Sequence, residues 1–196
     1  MTAEELHTRD KLIAATRALL IENGHAACTV KAIAVRAGVN HGLVHHYFGS
    51  KEGLLVAVLE HTAQEMLHHV PPGDRLQSDF KKFVRTVFLS NPERTSLMAE
   101  FFAMARHVPG VAAKLGEILP LRRQMMMKLT GVDNVTVALF QGALVGLAIQ
   151  NMVDPTIPTD AAAERLALLV LEDSGTPPPA PKKDSPNTKS RVSAHE

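Results

Sequence analysis

Apolar positions recur at helical spacing through most of the chain, and no segment sustains an alternation in twos, so the pattern predicts an all-α protein. Leu12, Ile13, Thr16, Leu19 and Leu20 share one face of a first helix, with Thr8 as its expected cap and Asn23-Gly24 as its end. Thr29 caps a second helix that turns Val30, Ile33, Ala34 and Ala37 inward. Gly38 permits a tight turn, Val39 plugs the core, and Asn40 caps a short third helix over 41–48. Gly49 ends it. Ser50 caps a fourth helix whose stripe is Leu54, Leu55, Val58, Leu59, Thr62 and Met66, running to about Val70 before Pro71-Pro72-Gly73.

The same spacing continues. Leu76, Phe80, Phe83, Val84, Val87 and Phe88 mark a fifth helix. Asn91-Pro92 opens a sixth through Phe101, Phe102 and Ala105, which Pro109-Gly110 breaks. A seventh runs to about Thr130 with Pro120 inside it, where a kink or split is expected. Asp133 caps an eighth that reaches about Met152, Pro155 and Pro158 form a connector, and Thr159 caps a ninth over 160–172. From Ser174 the chain is rich in Pro, Ser and Lys and poor in large apolar residues, so disorder is expected. The expected organisation is a helix-turn-helix module over 1–51, a helical module of about six helices over 52–173, and a tail over 174–196.

Composition leaves this picture intact. At 196 residues with 45% hydrophobic and 21% charged, the chain fits a globular protein with a sizeable core. One cysteine, Cys28, excludes a disulfide framework within the chain and fits a reducing cytoplasm. Residues 1–11 carry charges of both signs and no apolar run, unlike a secretory signal. The most apolar stretch, Val135 to Ile149, reads as a buried helix rather than a membrane span. Formal charge divides as +2, −3 and +2 over the three regions, which is compatible with nucleic acid at the first. No P-loop, nucleophile elbow or zincin motif is present, so no enzyme and no cofactor is expected.

The specific information sits between Thr29 and Leu55. Two helices that nearly touch need a small residue at the contact, a turn residue tolerant of positive φ, and apolar residues to dock them. Ala34, Gly38 and the set Ile33, Val39 and Val44 supply these. The third helix then presents His41, Gly42, Leu43, His45 and His46, with Tyr47 near its end. Thr29 and Lys31 at the second helix's start, and Lys51 at the fourth's, can grip phosphate. Double-stranded DNA is the expected partner.

The run Gly38-Val39-Asn40-His41-Gly42-Leu43-Val44-His45-His46-Tyr47-Phe48-Gly49-Ser50-Lys51-Glu52 resembles that of the TetR-type transcriptional repressors, over roughly residues 8–60. The resemblance implies DNA-contact roles for Thr29, Lys31, His41, Gly42, Leu43, His45, Tyr47 and Lys51. His45 stands where the family often has Tyr, and His41 where Lys or a polar residue is common. The reading helix thus lacks Lys and Arg, and DNA affinity is expected to fall as pH rises and histidine loses its charge.

Beyond the motif, the chain is unusually rich in soft and aromatic side chains. Met66, Phe83, Met98, Phe101, Phe102, Met104 and Met125 suggest a pocket for a small apolar effector, with Arg106, His107 and Gln124 as polar contacts. Plain core packing is the competing account. Gly142-x-x-x-Gly146, with Leu139, Val145 and Ile149, allows a close helix–helix seam. The resemblance implies dimerisation through the last two helices, which adds Leu166, Leu169 and Val170. His61, Glu65, His68 and His69 share one helix face, where a solvated surface outweighs a zinc site. The expected function is a homodimeric, effector-released repressor on a near-palindromic operator, with no membrane association. The alternatives are a small helical carrier or enzyme with a degenerate DNA module, and an activator of the same fold.

Overall fold

The computed structural model describes residues 3–67, 80, 82–85 and 91–173. Eight helices have bounds among them: α1 (Ala3–Ala27), α2 (Val30–Ala37), α3 (Gly42–Phe48), α4 (Lys51–Leu67), α5 (Pro92–Met104), α6 (Pro109–Thr130), α7 (Asn134–Val153) and α8 (Thr159–Asp173). Residues 80 and 82–84 are also helical, and no strand occurs among the described residues. Leu76, Val87, Phe88 and the Pro71-Pro72-Gly73 break lie outside them, as do His68, His69 and the tail.

Local signals explain most of the boundaries. The Ala32 N–H donates to Thr29 Oγ1 at 3.1 Å, the Gly42 N–H to Asn40 Oδ1 at 2.8 Å, the Gly53 N–H to Ser50 Oγ at 3.0 Å, and the Arg94 N–H to Asn91 Oδ1 at 2.8 Å. Each satisfies a donor that the helix start would otherwise strand. Asp133 does the same for Val135 and Thr136, and the Thr136 hydroxyl, together with those two bonds, holds its carboxyl below the usual range. Gly38 takes φ 67° and ψ 35°, the left-handed turn between α2 and α3 that a Cβ would strain.

Four boundary expectations need correction. Thr8 does not open the first helix: α1 begins at Ala3, and Glu4 and Glu5 favour its positive end. At the other end, Gly24 leaves helical geometry (φ 70°, ψ 178°) as expected, but helical residues resume to Ala27. Pro120 does not split its helix, since α6 is continuous through it. Thr159 lies within α8, and its hydroxyl donates to Asn151 Oδ1 and Ile157 O instead of accepting from the helix.

Two apolar cores form among the described residues. The first joins Leu12, Leu20, Ile33, Val44, Leu54, Leu55, Val58 and Leu59 to Leu97, Phe101, Val111 and Leu115 of α5 and α6. It therefore crosses the expected boundary at residue 51. The second gathers Met66, Phe80, Phe83, Met126, Val137, Phe140, Leu144, Ala163 and Val170. Buried threonines fit because their hydroxyls donate backwards along the helix, Thr16 to Leu12 O and Thr62 to Val58 O, both at 2.8 Å.

α7 departs from the buried helix expected of its sequence. It is the one described helix long and apolar enough to cross a membrane, yet only 17% of that apolar window is buried. Val137, Phe140 and Leu144 face inward, whereas Val135, Leu139, Ile149, Met152 and Val153 are exposed. Periodicity cannot distinguish burial inside a subunit from burial against a second one.

Gly53 sits where α4 crosses the end of α3, and a Cβ there would overlap the Phe48 carbonyl. Helix propensity alone favours Gly53→Ala by about 1 kcal/mol. The overlap reverses that sign, with an expected net loss of about 1–3 kcal/mol. Urea unfolding checks it; an unchanged or raised midpoint would contradict the packing.

Candidate functional site

α3 is clamped from three sides. Val44 is fully buried beneath it, and the α2 residues Ile33 and Ala34 close the contact behind it. Tyr47 and Phe48 pack partly against the same core. The Arg9 guanidinium lies 5.3 Å from the centre of the Phe48 ring, tying the start of α1 to the end of α3. His45 Nδ1 lies 3.2 Å from the Gly49 carbonyl at the helix end, and His46 packs edge-on to Tyr47 with ring centres 4.8 Å apart.

What α3 leaves outward is polar and thinly covered. His41, Gly42, His45 and His46 are exposed, as are Thr29 and Lys31 at the start of α2, while Leu43, Tyr47 and Lys51 are half-buried. Thr29 spends its acceptor on the cap, leaving its hydroxyl proton available to a phosphate. The structure therefore brings all nine expected residues onto α3 and the starts of α2 and α4. A short exposed helix, with backbone N–H groups and two lysines beside it, has the dimensions and polarity to enter a major groove.

Two carboxylates tie this module to the rest of the chain. Glu100 of α5 accepts the His25 N–H at 3.1 Å, just beyond the Gly24 break in α1. Glu52, in the first turn of α4, accepts the Gly110 N–H at the start of α6. Burial, and then the charge of Lys51, holds the His25 imidazole below its ordinary pKa, with Glu100 opposing. Burial pushes the Cys28 thiol up, as expected of an unreactive core thiol. Glu52 stood in the sequence motif, but its partner lies 58 residues away, beyond any local spacing rule.

α5, α6 and α7, with Met66 of α4, line a partly open cavity of about 60 Å3. Its walls include Met66, Met98, Phe102, Leu119, Leu144, Val145 and Ile149, with Arg94, Arg122 and Gln141 as polar groups. Of the expected pocket residues, Met66, Met98 and Phe102 are there. Phe101 and Met104 instead fill the first core and Phe83 the second. Arg106, His107 and Gln124 are exposed on the surface. Met125 lines a separate outer groove between α4 and α6 with Glu60, Lys114 and Leu121. Composition gives residue types but not which turn of each helix faces the cavity.

The expected interface residues also divide. Leu139, Gly142, Ile149 and Leu169 are exposed and Gly146 is half-buried. Val145 belongs to the cavity wall. Val170 is only 3% exposed and Leu166 packs partly against the second core, because 163, 167 and 170 form the inward stripe of α8. Glu65 accepts two hydrogen bonds from Arg17, at 2.8 and 2.9 Å. No metal-binding group of three potential ligands occurs among the described residues.

Comparison with known proteins agrees with this geometry. Residues 12–58 match the family model for bacterial regulatory proteins of the tetR family. An HTH-type transcriptional repressor of Mycobacterium tuberculosis is 39% identical over 69 residues, covering 34% of this chain and 37% of the repressor. The chain thus matches little more than a third of that relative's length. A transcriptional regulator from Rhodococcus superposes with a TM-score of 0.75 at 21% identity, covering 84% of this chain and 96% of that one. The multidrug binding protein EbrR complexed with ethidium gives 0.68 at 17%, covering 83% and 98%. These likenesses extend the shared fold through the second module.

A contact role for Lys51 predicts that Lys51→Ala weakens binding about equally on different DNA sequences and lowers the slope of log K against log salt by about one. Tyr47→Ala should weaken binding with an unchanged circular dichroism spectrum. Loss of binding only together with loss of helix would remove both assignments.

Proposed function

We propose that this chain, whose residues 12–58 match the tetR-family model, is a cytoplasmic, homodimeric transcriptional repressor released from DNA by a small effector. The observation that carries this reading is the outward face of α3, held rigid by the first core and lined by His41, Gly42, His45 and His46. Two copies of α3 read two half-sites about 34 Å apart, one turn of the duplex.

The second copy docks on α7 and α8. Val135, Leu139, Gly142, Gly146, Ile149 and Val153 recur at steps of three or four along α7, an outward stripe opposite Val137, Phe140 and Leu144. Leu139 is 69% and Val153 85% exposed, an unusual cost for a helix left in water. The two glycines let a facing backbone approach, and Leu169 of α8 extends the patch.

Release follows from which helices line the cavity. A ligand that spreads α5 and α6 displaces Glu100 and Gly110, and with them the ends of α1 and α4 that carry α3. The half-site separation then no longer fits the duplex.

DNase footprinting over the DNA upstream of the chain's own gene tests the reading, with one near-palindromic protected site expected. No salt-sensitive protection on any fragment would oppose it. Leu139→Asp combined with Leu169→Asp should yield a helical monomer by light scattering and lose the footprint. A variant that remains dimeric would place the interface elsewhere.

A further inference from the structure

His45 and Gly49 bond to each other twice. The Gly49 N–H donates to the His45 carbonyl at 3.0 Å, which closes α3, and His45 Nδ1 lies 3.2 Å from the Gly49 carbonyl oxygen. A carbonyl oxygen has lone pairs and no proton, so the proton of that second contact belongs to Nδ1. In the neutral imidazole the far nitrogen, Nε2, then carries a lone pair and no hydrogen. The turn at Gly49 therefore fixes the tautomer and leaves the ring an acceptor toward its surroundings. The ring itself is exposed. Side chains three and four positions away share a helix face, and two of those four neighbours of His45, Gly42 and Gly49, have no side chain. A third, Phe48, packs partly against the first core, and the fourth is His41. From Gly42 to Phe48, α3 contains no carboxylate, amide or lysine side chain. Its His45 thus offers an acceptor without the negative charge that phosphates would repel.

Resting on the DNA-binding reading above, we propose that His45 is a specificity-determining residue: its Nε2 accepts a hydrogen bond from the exocyclic amino group of an adenine or a cytosine. In the major groove each base pair shows one such group, N6 of adenine or N4 of cytosine, whereas guanine and thymine show the keto acceptors O6 and O4. The contact therefore reads which strand carries the amino base. A keto base at the same place sets two acceptors against each other with no proton between them, and both lose the partners they had in water. Phosphate contacts from Thr29, Lys31 and Lys51 would position the helix without carrying sequence information. Gly42, with no side chain, lets the helix approach the base edges closely enough for the ring to reach them.

The test uses the full chain at pH 8, where an imidazole is neutral. Duplexes are selected from a random pool, and gel shifts then compare the four bases at each position of the selected site. One position per half-site is expected at which adenine or cytosine on one strand binds at least about fivefold tighter than guanine or thymine. His45→Gln, whose amide both donates and accepts, should cut that preference below about twofold. His45→Lys, a donor only, should invert it toward guanine or thymine. A second measurement needs no variant. N6-methyladenine or N4-methylcytosine keeps its base pairing but replaces the groove-facing amino hydrogen by a methyl group, and should bind the parent chain as weakly as a keto base. Undiminished binding to the methylated bases, or a preference that survives in a helical His45→Gln protein, would overturn the inference. Failure to bind any duplex overturns the DNA reading and this inference with it. Sequence-specific binding in which no position responds to the change at His45 overturns this inference alone.

Discussion

The protein depends on two carboxylate-to-amide contacts that cross from one functional region to the other. Glu100 takes the His25 N–H, and Glu52 takes the Gly110 N–H. A charge-assisted hydrogen bond of this kind is worth about 1.5–3 kcal/mol, small beside the hydrophobic core but comparable to the energies that separate conformations. The first core already joins the helices on both sides of these contacts. The carboxylates add direction, fixing where α1 bends and where α4 starts relative to α5 and α6. In the proposed mechanism, a shift in either of those cavity-lining helices reaches α3 through these contacts.

The same economy appears at the cavity and at the outer face of α7. Adjacent turns of that helix serve different ends: Leu144 and Val145 line the cavity, Ile149 borders it while 43% exposed, and Leu139 points to solvent. A ligand in the cavity and a subunit on the stripe would press on one helix from two sides. In the proposed dimer, ligand binding and subunit geometry are coupled without any long relay.

Local rules made much of the fold legible in the sequence. Thr29, Asn91 and Asp133 are caps whose chemistry acts within three residues, and the stripe Leu54, Leu55, Val58, Leu59, Thr62 and Met66 is buried throughout. The outward face of α3 was legible for the same reason, since α2, the turn and α3 are contiguous. Long-range pairings were not. Met104 and Phe101 look like pocket residues by type, but the direction of their stripe sends them into the core. Arg94 went unnoticed because charge on a helix usually means a solvated face, yet it is only 6% exposed and shares its face with Leu97, Phe101 and Met104. α7 read as buried because high hydropathy alone does not say which of its faces turns inward.

Electron–electron double resonance between nitroxides at His41→Cys in the two subunits of the proposed dimer tests the coupling most directly, since the fully buried Cys28 takes no label. The account predicts one narrow distance in the parent protein. In the Glu52→Ala, Glu100→Ala background that distance should broaden and shift by several ångströms, with helix content unchanged. An identical narrow distance in both proteins would contradict it.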